Sequence, residues 1–128
     1  SLWKLPVVFV IENNMYGMGT SVTRSSAGNN FAKRGDAFDI KNKVINGMDV
    51  LEVREAAKEA VEYCRSGKGP YILEVKTYRY RGHSMSDPAK YRTRQEVEDA
   101  RKTGPIKTIQ NLIMRSGIKE EELKTWID

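Results

Sequence analysis

Residues 5–11 form a continuous apolar run that is rich in β-branched side chains. Such a run is typical of a strand that is buried on both faces of a parallel sheet. A second strand is predicted over residues 70–78, and residues 49–66 between them show helical periodicity. Because a strand, a crossover helix and a second strand make up the βαβ unit, the sequence predicts an α/β fold with a parallel sheet and flanking helices.

The predicted helix over residues 49–66 has recognisable signals at both ends. Asp49 and Glu52 form a pattern similar to a capping box at its start, and Gly67 suits its C-terminal cap. Its interior carries one apolar stripe with spacings of three and four residues, made up of Val53, Ala56, Ala57, Ala60, Val61 and Cys64. The stripe is expected to pack on the sheet, with Cys64 as a small buried hydrophobic residue.

Shorter elements are expected elsewhere in the chain. Three helices are predicted after the second strand, near residues 94–102, 105–115 and 119–127. In the second of these helices, one face is apolar and consists of Ile106, Ile109, Leu112 and Ile113. The long polar segment after the first strand has room for a helical turn near residues 31–38 and a short strand at residues 43–45.

Composition excludes several classes of protein. The net charge is +5 and 30% of the residues are charged, which is ordinary for a globular domain. No apolar run approaches the ~18 residues of a membrane span, so no membrane partner is expected, and a single cysteine excludes an intrachain disulfide. The first residues lack a signal-peptide pattern and lead almost directly into a strand, so the chain is interpreted as a piece of a longer protein.

Two polar loops are candidates for a ligand site. Residues 12–21 follow the first strand and residues 79–91 follow the second. Ligands of open α/β sheets bind at the carboxyl ends of the strands, so both loops are expected to contribute to one site. An Asn side-chain oxygen and a turn carbonyl in the first loop are oxygen ligands of the kind that Mg²⁺ prefers, and Gly17 and Gly19 let the backbone approach a ligand closely.

The second loop is rich in arginines interleaved with tyrosines, a composition that also suits single-stranded nucleic acid. A nucleic-acid-binding module would bind oligonucleotides with a steep dependence on salt. The residues alone therefore leave two interpretations, a phosphate-ligand site and a nucleic-acid surface.

Four blocks of sequence make the first interpretation specific. The string ENNMYGMGTS at residues 12–21 resembles the closing half of the thiamin diphosphate motif in alpha subunits of 2-oxo acid dehydrogenases. The string TYRYRGHSMSDP at residues 77–88 is similar to the phosphorylation loop of that family, and CRSGKGP and WKLP also fit, in the same order. The family motif opens with Gly-Asp-Gly, which this chain lacks. Its aspartate ligand would lie upstream of Ser1.

This resemblance implies roles for individual residues. Asn14 matches the asparagine whose side chain binds Mg²⁺, and Tyr16 matches the residue that offers its main-chain carbonyl to the same ion. His83 is the only histidine and matches the residue that contacts the cofactor diphosphate and the reacting centre. It would act in the transfer of the acyl group to lipoamide, since the pKa of a histidine lies near neutrality.

The resemblance also implies sites of modification. Ser84 matches a serine that inhibitory kinases phosphorylate in mitochondrial members of the family, and Ser21 matches another modified serine. Lys90 stands where a third such serine would be, so that site is absent. In a bacterial protein, Ser84 and Ser21 would be ordinary loop hydroxyls.

For the whole protein, the resemblance implies an alpha/beta heterotetramer that uses thiamin diphosphate and Mg²⁺ and passes an acyl group to the lipoyl domain of a dihydrolipoyl acyltransferase. A regulatory kinase and phosphatase are further implied partners, whereas nucleic acid is not. The string RGHSMSDP favours pyruvate as the substrate, and branched-chain 2-oxo acids and acetoin are the alternatives. A catalytically incompetent truncated fragment is the alternative of another class.

The expected organisation has a boundary after residue 92. Residues 1–92 would form the C-terminal half of a thiamin-diphosphate-binding domain, with site loops over residues 12–47 and 79–92. Residues 93–128 would form a helical extension. The expected location is the cytoplasm in a bacterium and the mitochondrial matrix in a eukaryote.

Overall fold

The computed structural model describes residues 1–126. Its strands are β1 (Val8–Asn13), β2 (Tyr16–Gly17), β3 (Thr20–Ser21), β4 (Lys41–Asn46) and β5 (Tyr71–Lys76). Its α-helices are α1 (Val22–Ser25), α2 (Val50–Arg65), α3 (Arg94–Lys102), α4 (Pro105–Arg115) and α5 (Glu120–Lys124), and a 3-10 helix covers Ala32–Phe38. The fold is therefore of the predicted α/β class.

A parallel sheet of three strands in the order β1-β5-β4 forms the centre of the molecule. Strand β5 lies in the middle, with Tyr71 in register with Val8 on one side and with Lys41 on the other. The weakly indicated strand at residues 43–45 is in fact the longer strand β4. Because all three strands run in the same direction, the segments that follow β1 and β5 leave the same edge of the sheet, as predicted.

Helix α2 covers one face of this sheet and forms the main core. The buried residues of this core come from α2, β4 and β5, and they are Ile45, Ala56, Ala60, Cys64, Tyr71 and Leu73. Small alanines along the helix allow it to lie close to the strands. The predicted stripe is confirmed except at Val61, which is 38% exposed because it lies at the rim of the contact.

The ends of α2 follow the sequence signals with one correction. The Asp49 carboxylate accepts hydrogen bonds from the amides of Leu51 at 2.9 Å and Glu52 at 3.2 Å, so it caps the helix. The reciprocal half of a capping box is not formed, because the Glu52 carboxylate accepts from the amide of Asn46 at 3.2 Å. That amide ends β4, so Glu52 joins the strand to the helix. Gly67 has the expected positive φ of 74° beyond the last turn.

The opposite face of the sheet is held by a buried carboxylate. Glu74 in the middle of β5 is fully buried and accepts a hydrogen bond from the Asn13 side-chain amide at 2.7 Å. It also accepts from the backbone amide of Ala32 at 2.8 Å, at the start of the 3-10 helix. One side chain thereby fixes the end of β1 and the beginning of the 3-10 helix to the central strand.

The expectation that the first strand is buried on both faces is wrong within the described residues. Phe9 is 50% exposed and Val10 is 62% exposed. Strand β1 lies at the edge of the sheet, and α2 packs mainly over β4 and β5. The apolar run is therefore a true strand, but among the described residues only part of it contributes to the core.

The three C-terminal helices differ in how well they match expectation. Helices α3 and α4 have the predicted ends. Helix α5 is shorter than predicted, and Ile127 lies outside the described residues. The apolar face of α4 is only partly covered, since Ile106 is 74% and Leu112 48% exposed. Among the described residues no helix has the length and apolar character to cross a membrane.

Candidate functional site

The two predicted loops meet at the carboxyl edge of the sheet. The Arg79 guanidinium donates a hydrogen bond of 2.8 Å to the Met18 carbonyl and another of 3.0 Å to the Tyr91 hydroxyl. The rings of Tyr16 and Tyr91 lie 5.3 Å apart between centroids. Gly19 faces the Tyr91 ring so closely that a β-carbon would lie 3.0 Å from it. The glycine therefore allows the two loops to touch.

The loop after β1 is shaped by two consecutive asparagine turns. The Asn13 side-chain oxygen accepts from the amide of Met15 at 2.9 Å, and the Asn14 oxygen accepts from the amide of Tyr16 at 3.2 Å. These bonds hold Met15 in a left-handed conformation, with φ of 67°, that a non-glycine residue rarely adopts. Asn13 is buried and bonded to Glu74, whereas Asn14 is half-buried.

Asn14 retains the capacity to bind a cation. A side-chain carbonyl oxygen has two lone pairs, and the Tyr16 amide uses one of them. Asn14 and Tyr16 line a cavity of about 280 Å³ together with Glu12. The described residues contain no group of three or more His, Cys, Asp or Glu side chains that could hold a metal. A side-chain amide oxygen and a main-chain carbonyl are oxygen ligands that Mg²⁺ accepts beside carboxylates and phosphates, so Asn14 and Tyr16 fit part of such a site.

His83 lies exposed in the second loop. Its backbone amide donates to the Asp87 carboxylate at 2.7 Å, and its ring Nδ1 lies 3.5 Å from the Arg79 guanidinium. It lines a cavity of about 340 Å³ that also includes Met18 and Ser84. The structure therefore brings His83 next to the tip of the first loop, but Asn14 and Tyr16 open into the other cavity.

Asp87 organises the histidine loop. Its carboxylate accepts from the Tyr91 hydroxyl at 2.7 Å and from the backbone amides of His83 and Ala89 at 2.7 and 2.8 Å. The hydrogen bond from Tyr91, followed by the two amides and the nearby Arg79 charge, lowers the pKa of Asp87 to about 2. The loop therefore contains a permanent negative charge that holds its backbone at neutral pH.

A buried arginine fixes the start of the same loop. Arg92 is only 9% exposed, and its guanidinium donates to the carbonyls of Arg79 and Arg81, the latter at 2.7 Å. Its charge lies over the rings of three tyrosines at 5.4–5.9 Å, and these are Tyr16, Tyr78 and Tyr91. Such cation–π contacts are stronger when the cation is shielded from water.

The two candidate serines occupy different environments. Ser84 is exposed in the cavity that His83 lines, and its hydroxyl lies 3.0 Å from that of Ser86. Ser21 is half-buried at the end of the short β2–β3 hairpin, and its hydroxyl lies 3.0 Å from that of Thr23. Only Ser84 is therefore fully open to an enzyme that would modify it.

Several residues of this region were not predicted from the sequence. The main one is Glu96, which accepts hydrogen bonds from the hydroxyls of Tyr16 and Tyr78 at 3.2 and 3.0 Å. Its spacing from Thr93 is that of a capping box, which predicts a local bond and not a contact 80 residues away. Arg92 and Asp87 could have been suspected only as charges within a basic, polar loop.

The chain is similar in sequence to known proteins along its whole length. A model of the family "Dehydrogenase E1 component" matches residues 1–128. The chain is 56% identical to a pyruvate dehydrogenase E1 component subunit alpha of Rhizobium meliloti over 97% of its own length and 36% of that relative. The corresponding protein of Zymomonas mobilis is 55% identical, over 96% of this chain and 35% of the relative. A mitochondrial somatic form from Bos taurus is 53% identical, over 97% of this chain and 32% of the relative.

These matches have two consequences. The chain spans about a third of the length of the curated relatives it matches. The similarity nevertheless runs through every element described above, including both loops of the site. The chain belongs to the dehydrogenase E1 component family.

Proposed function

We propose that the chain is part of the alpha subunit of a pyruvate dehydrogenase, which decarboxylates pyruvate oxidatively and transfers the acetyl group to lipoamide. The observation that carries the proposal is the meeting of the two loops at the sheet edge, where Arg79 joins Met18 to the histidine loop. Pyruvate is proposed as the substrate because similar proteins are named pyruvate dehydrogenase E1 component subunit alpha.

Asn14 and Tyr16 would hold Mg²⁺, and the ion would in turn hold the diphosphate of thiamin diphosphate. The donors are the Asn14 side-chain oxygen and the Tyr16 main-chain carbonyl, as the family motif implies. Their positions follow from the asparagine turns, which fix both residues relative to the end of β1. When bound, the cofactor supplies the carbanion chemistry, and the protein orients it and tunes its charge.

His83 would contact the diphosphate and act as a proton donor during acyl transfer. It is exposed, and its backbone is held by Asp87, so the ring is available on a fixed loop. The Arg79 guanidinium beside it adds positive charge where an anionic ligand would lie. The test of this role is His83→Ala, which should impair acetyl transfer to lipoamide more than decarboxylation with an artificial electron acceptor.

Phosphorylation at Ser84 would inhibit the enzyme through charge. A phosphoserine adds a charge of about −1.5 to −2 next to an anionic cofactor. At a separation of ~4 Å and an effective dielectric of ~20, each pair of like unit charges costs ~4 kcal/mol. Ser21 is the second candidate, and a regulatory kinase and phosphatase are the corresponding partners. Incubation with such a kinase should modify Ser84 before the half-buried Ser21.

The complete enzyme is proposed to be an alpha/beta heterotetramer that delivers its product to the lipoyl domain of a dihydrolipoyl acyltransferase. The beta subunit would supply the glutamate that activates the cofactor. A bacterial form would act in the cytoplasm and a eukaryotic form in the mitochondrial matrix. Within the alpha chain, residues 1–92 would form the C-terminal half of the cofactor-binding domain and residues 93–128 a helical extension.

The decisive experiment compares substrates on the full-length alpha subunit paired with its beta subunit, with Mg²⁺ and thiamin diphosphate present. Strong preference for pyruvate over a branched-chain 2-oxo acid and acetoin is the expected result. Preference for either alternative would keep the site and change the substrate. Absence of cofactor-dependent turnover with all three would overturn the proposal.

The assignment of Asn14 as a ligand has its own test. In the same full-length enzyme, Asn14→Ala should sharply raise the concentration of Mg²⁺ that is needed for activity.

A further inference from the structure

One carboxylate connects the two loops of the site from outside both of them. Glu96 lies in the first turn of α3, and the same carboxylate oxygen accepts from the Tyr16 hydroxyl at 3.2 Å and the Tyr78 hydroxyl at 3.0 Å. Tyr16 belongs to the first loop, and Tyr78 is the residue immediately before the second. We refer to Glu96, Tyr16 and Tyr78 as the Glu96 bridge.

Each tyrosine of the bridge is directly connected to the proposed site, either by a hydrogen bond or by the adjacent residue in the chain. The backbone amide of Tyr16 donates to the Asn14 side-chain oxygen at 3.2 Å. Tyr78 directly precedes Arg79, whose guanidinium contacts the Met18 carbonyl and approaches the His83 ring. A movement of either phenol relative to Glu96 would therefore shift one loop against the other.

The surroundings of Glu96 favour this role over a local one. The Thr93 hydroxyl oxygen accepts from the Glu96 amide at 3.1 Å, so the backbone of Glu96 is held by the helix cap. Its carboxylate points to the two phenols, and the Arg92 charge over both rings offsets its negative charge. Burial and the Glu96 carboxylate raise the pKa of Tyr78, so this hydroxyl remains a protonated donor at neutral pH.

We propose that Glu96 is a positioning residue of the cofactor site, which fixes the Asn14–Tyr16 loop and the His83 loop in the mutual arrangement that binds Mg²⁺ and the diphosphate. The inference rests on the proposed function and deepens it. It assigns a role to α3, from which no residue was predicted to act in the site.

The test measures binding rather than turnover, in the complete alpha/beta enzyme. Calorimetric titration with Mg²⁺ and thiamin diphosphate, without substrate, would compare Glu96→Ala with Glu96→Gln. A hydrogen bond to a charged group is worth enough that Glu96→Ala should weaken cofactor binding about tenfold. Glu96→Gln keeps the accepting oxygen and should stay within about threefold of the parent enzyme.

Glu98→Gln is the matched control. Glu98 lies on the same helix, its side chain is 65% exposed, and among residues 1–126 its one ion pair is with Arg101 at 3.9 Å. Its removal should leave cofactor affinity unchanged. Because Glu96→Ala can also lower stability, the melting temperature of each variant is recorded beside its affinity.

Tyr16→Phe and Tyr78→Phe provide a second route that does not depend on Glu96→Ala folding. Each should weaken binding a few-fold, and Glu96→Ala added to the double phenylalanine variant should cause no further loss, because the hydrogen bonds it removes are already absent. Additive losses would overturn the bridge. Parent-like affinity in Glu96→Ala, or equal losses in Glu96→Ala and Glu98→Gln, would overturn it as well.

Failure of the underlying function would look different. If the parent enzyme itself showed no Mg²⁺-dependent binding of thiamin diphosphate, both proposals would be overturned. If the parent bound the cofactor and Asn14→Ala lost it while Glu96→Ala did not, only the role of Glu96 would be wrong.

Discussion

Among single residues, some of the side chains that hold the structure together lie at positions that no sequence pattern marks. Glu74 occupies a strand position that would ordinarily take an apolar side chain. It is fully buried because it serves two donors, the Asn13 side chain and the Ala32 amide. A buried acceptor that is fully paired stabilises a specific geometry, and its removal leaves its partners without hydrogen bonds.

Replacing Glu74 should therefore be costly. In Glu74→Ala, two buried donors lose their acceptor, and we expect destabilisation of about 3 kcal/mol. Urea denaturation followed by circular dichroism measures the change. Glu62→Gln, which alters an exposed carboxylate of α2, is the control and should have almost no effect. A Glu74→Ala protein as stable as the control would show that Asn13 and Ala32 find other acceptors.

Asp87 gives a prediction about pH. Its pKa is lowered from 3.8 to about 2, so its contribution to loop order is fully present above pH 3.8 and is lost as the pH falls through about 2. The hydrogen bond from Tyr91 is the largest cause of the shift. Tyr91→Phe should therefore move the titration midpoint of the Asp87 carboxyl back towards 3.8, as measured by carbon NMR.

The control for Asp87 is Tyr78→Phe, since the Tyr78 hydroxyl is bonded to Glu96 and not to Asp87. That variant should leave the midpoint near its original value. A midpoint that stays at about 2 in Tyr91→Phe would mean that the two backbone amides hold the carboxylate without help from the phenol.

At the scale of elements, the connection from β4 to α2 decides how the helix lies on the sheet. Gly47 sits in this connection, and its amide donates to the Lys76 carbonyl at 2.7 Å. A β-carbon at this position would lie 2.5 Å from Val75 and 2.7 Å from Thr77. The glycine is needed for close approach to β5, because no side chain fits the space.

Gly47→Ala should push the connection away from β5. Overpacking of this kind costs about 1–3 kcal/mol, so a fall in Tm of about 5 °C or more is expected by calorimetry. Gly28→Ala is the matched control, since nothing lies within 4 Å of the added carbon there. Equal Tm values for the two variants would show that β5 yields at little cost.

The same elements show what the sequence could and could not predict. Helices α2, α3 and α4 were predicted closely because caps, proline and glycine act locally. The meeting of the two loops was also predicted from the sequence, because parallel strands place the segments that follow them at the same edge of the sheet. The roles of Glu74 and Glu96 could not be predicted, since each carboxylate has at least one partner that is 42 or more residues away in the chain. Their own neighbours in sequence carry no sign of those partners.

The candidate site likewise contains some residues that the sequence pointed to and others that it did not. Asn14, Tyr16 and His83 were selected through a family motif, and the structure places them on the expected loops without testing their roles. The network that holds them, formed by Arg92, Asp87 and Glu96, lies outside the residues that were selected. A motif identifies groups that would touch a ligand, whereas the groups that position them are visible only in three dimensions.

In the molecule as a whole, the two edge strands of the sheet differ in how far they are covered. Both β1 and β4 are edge strands, but among the described residues β4 is packed against α2 and the 3-10 helix, whereas β1 has little helical cover. Phe9 and Val10 on β1 are at least half exposed. An edge strand with exposed apolar side chains and unpaired backbone groups is a site of self-association in water.

The 128-residue chain, studied by itself, should therefore associate as its concentration rises. Val10→Lys places a charge on the edge strand, which opposes pairing with a second strand, and should shift the sedimentation profile towards the monomer. Val61→Lys is the control, because Val61 is also exposed, at 38%, but lies on α2 away from the edge. If both variants associated like the parent chain, β1 would not be the contact. If Val61→Lys alone dissolved the assemblies, the outer surface of α2 would be the contact instead.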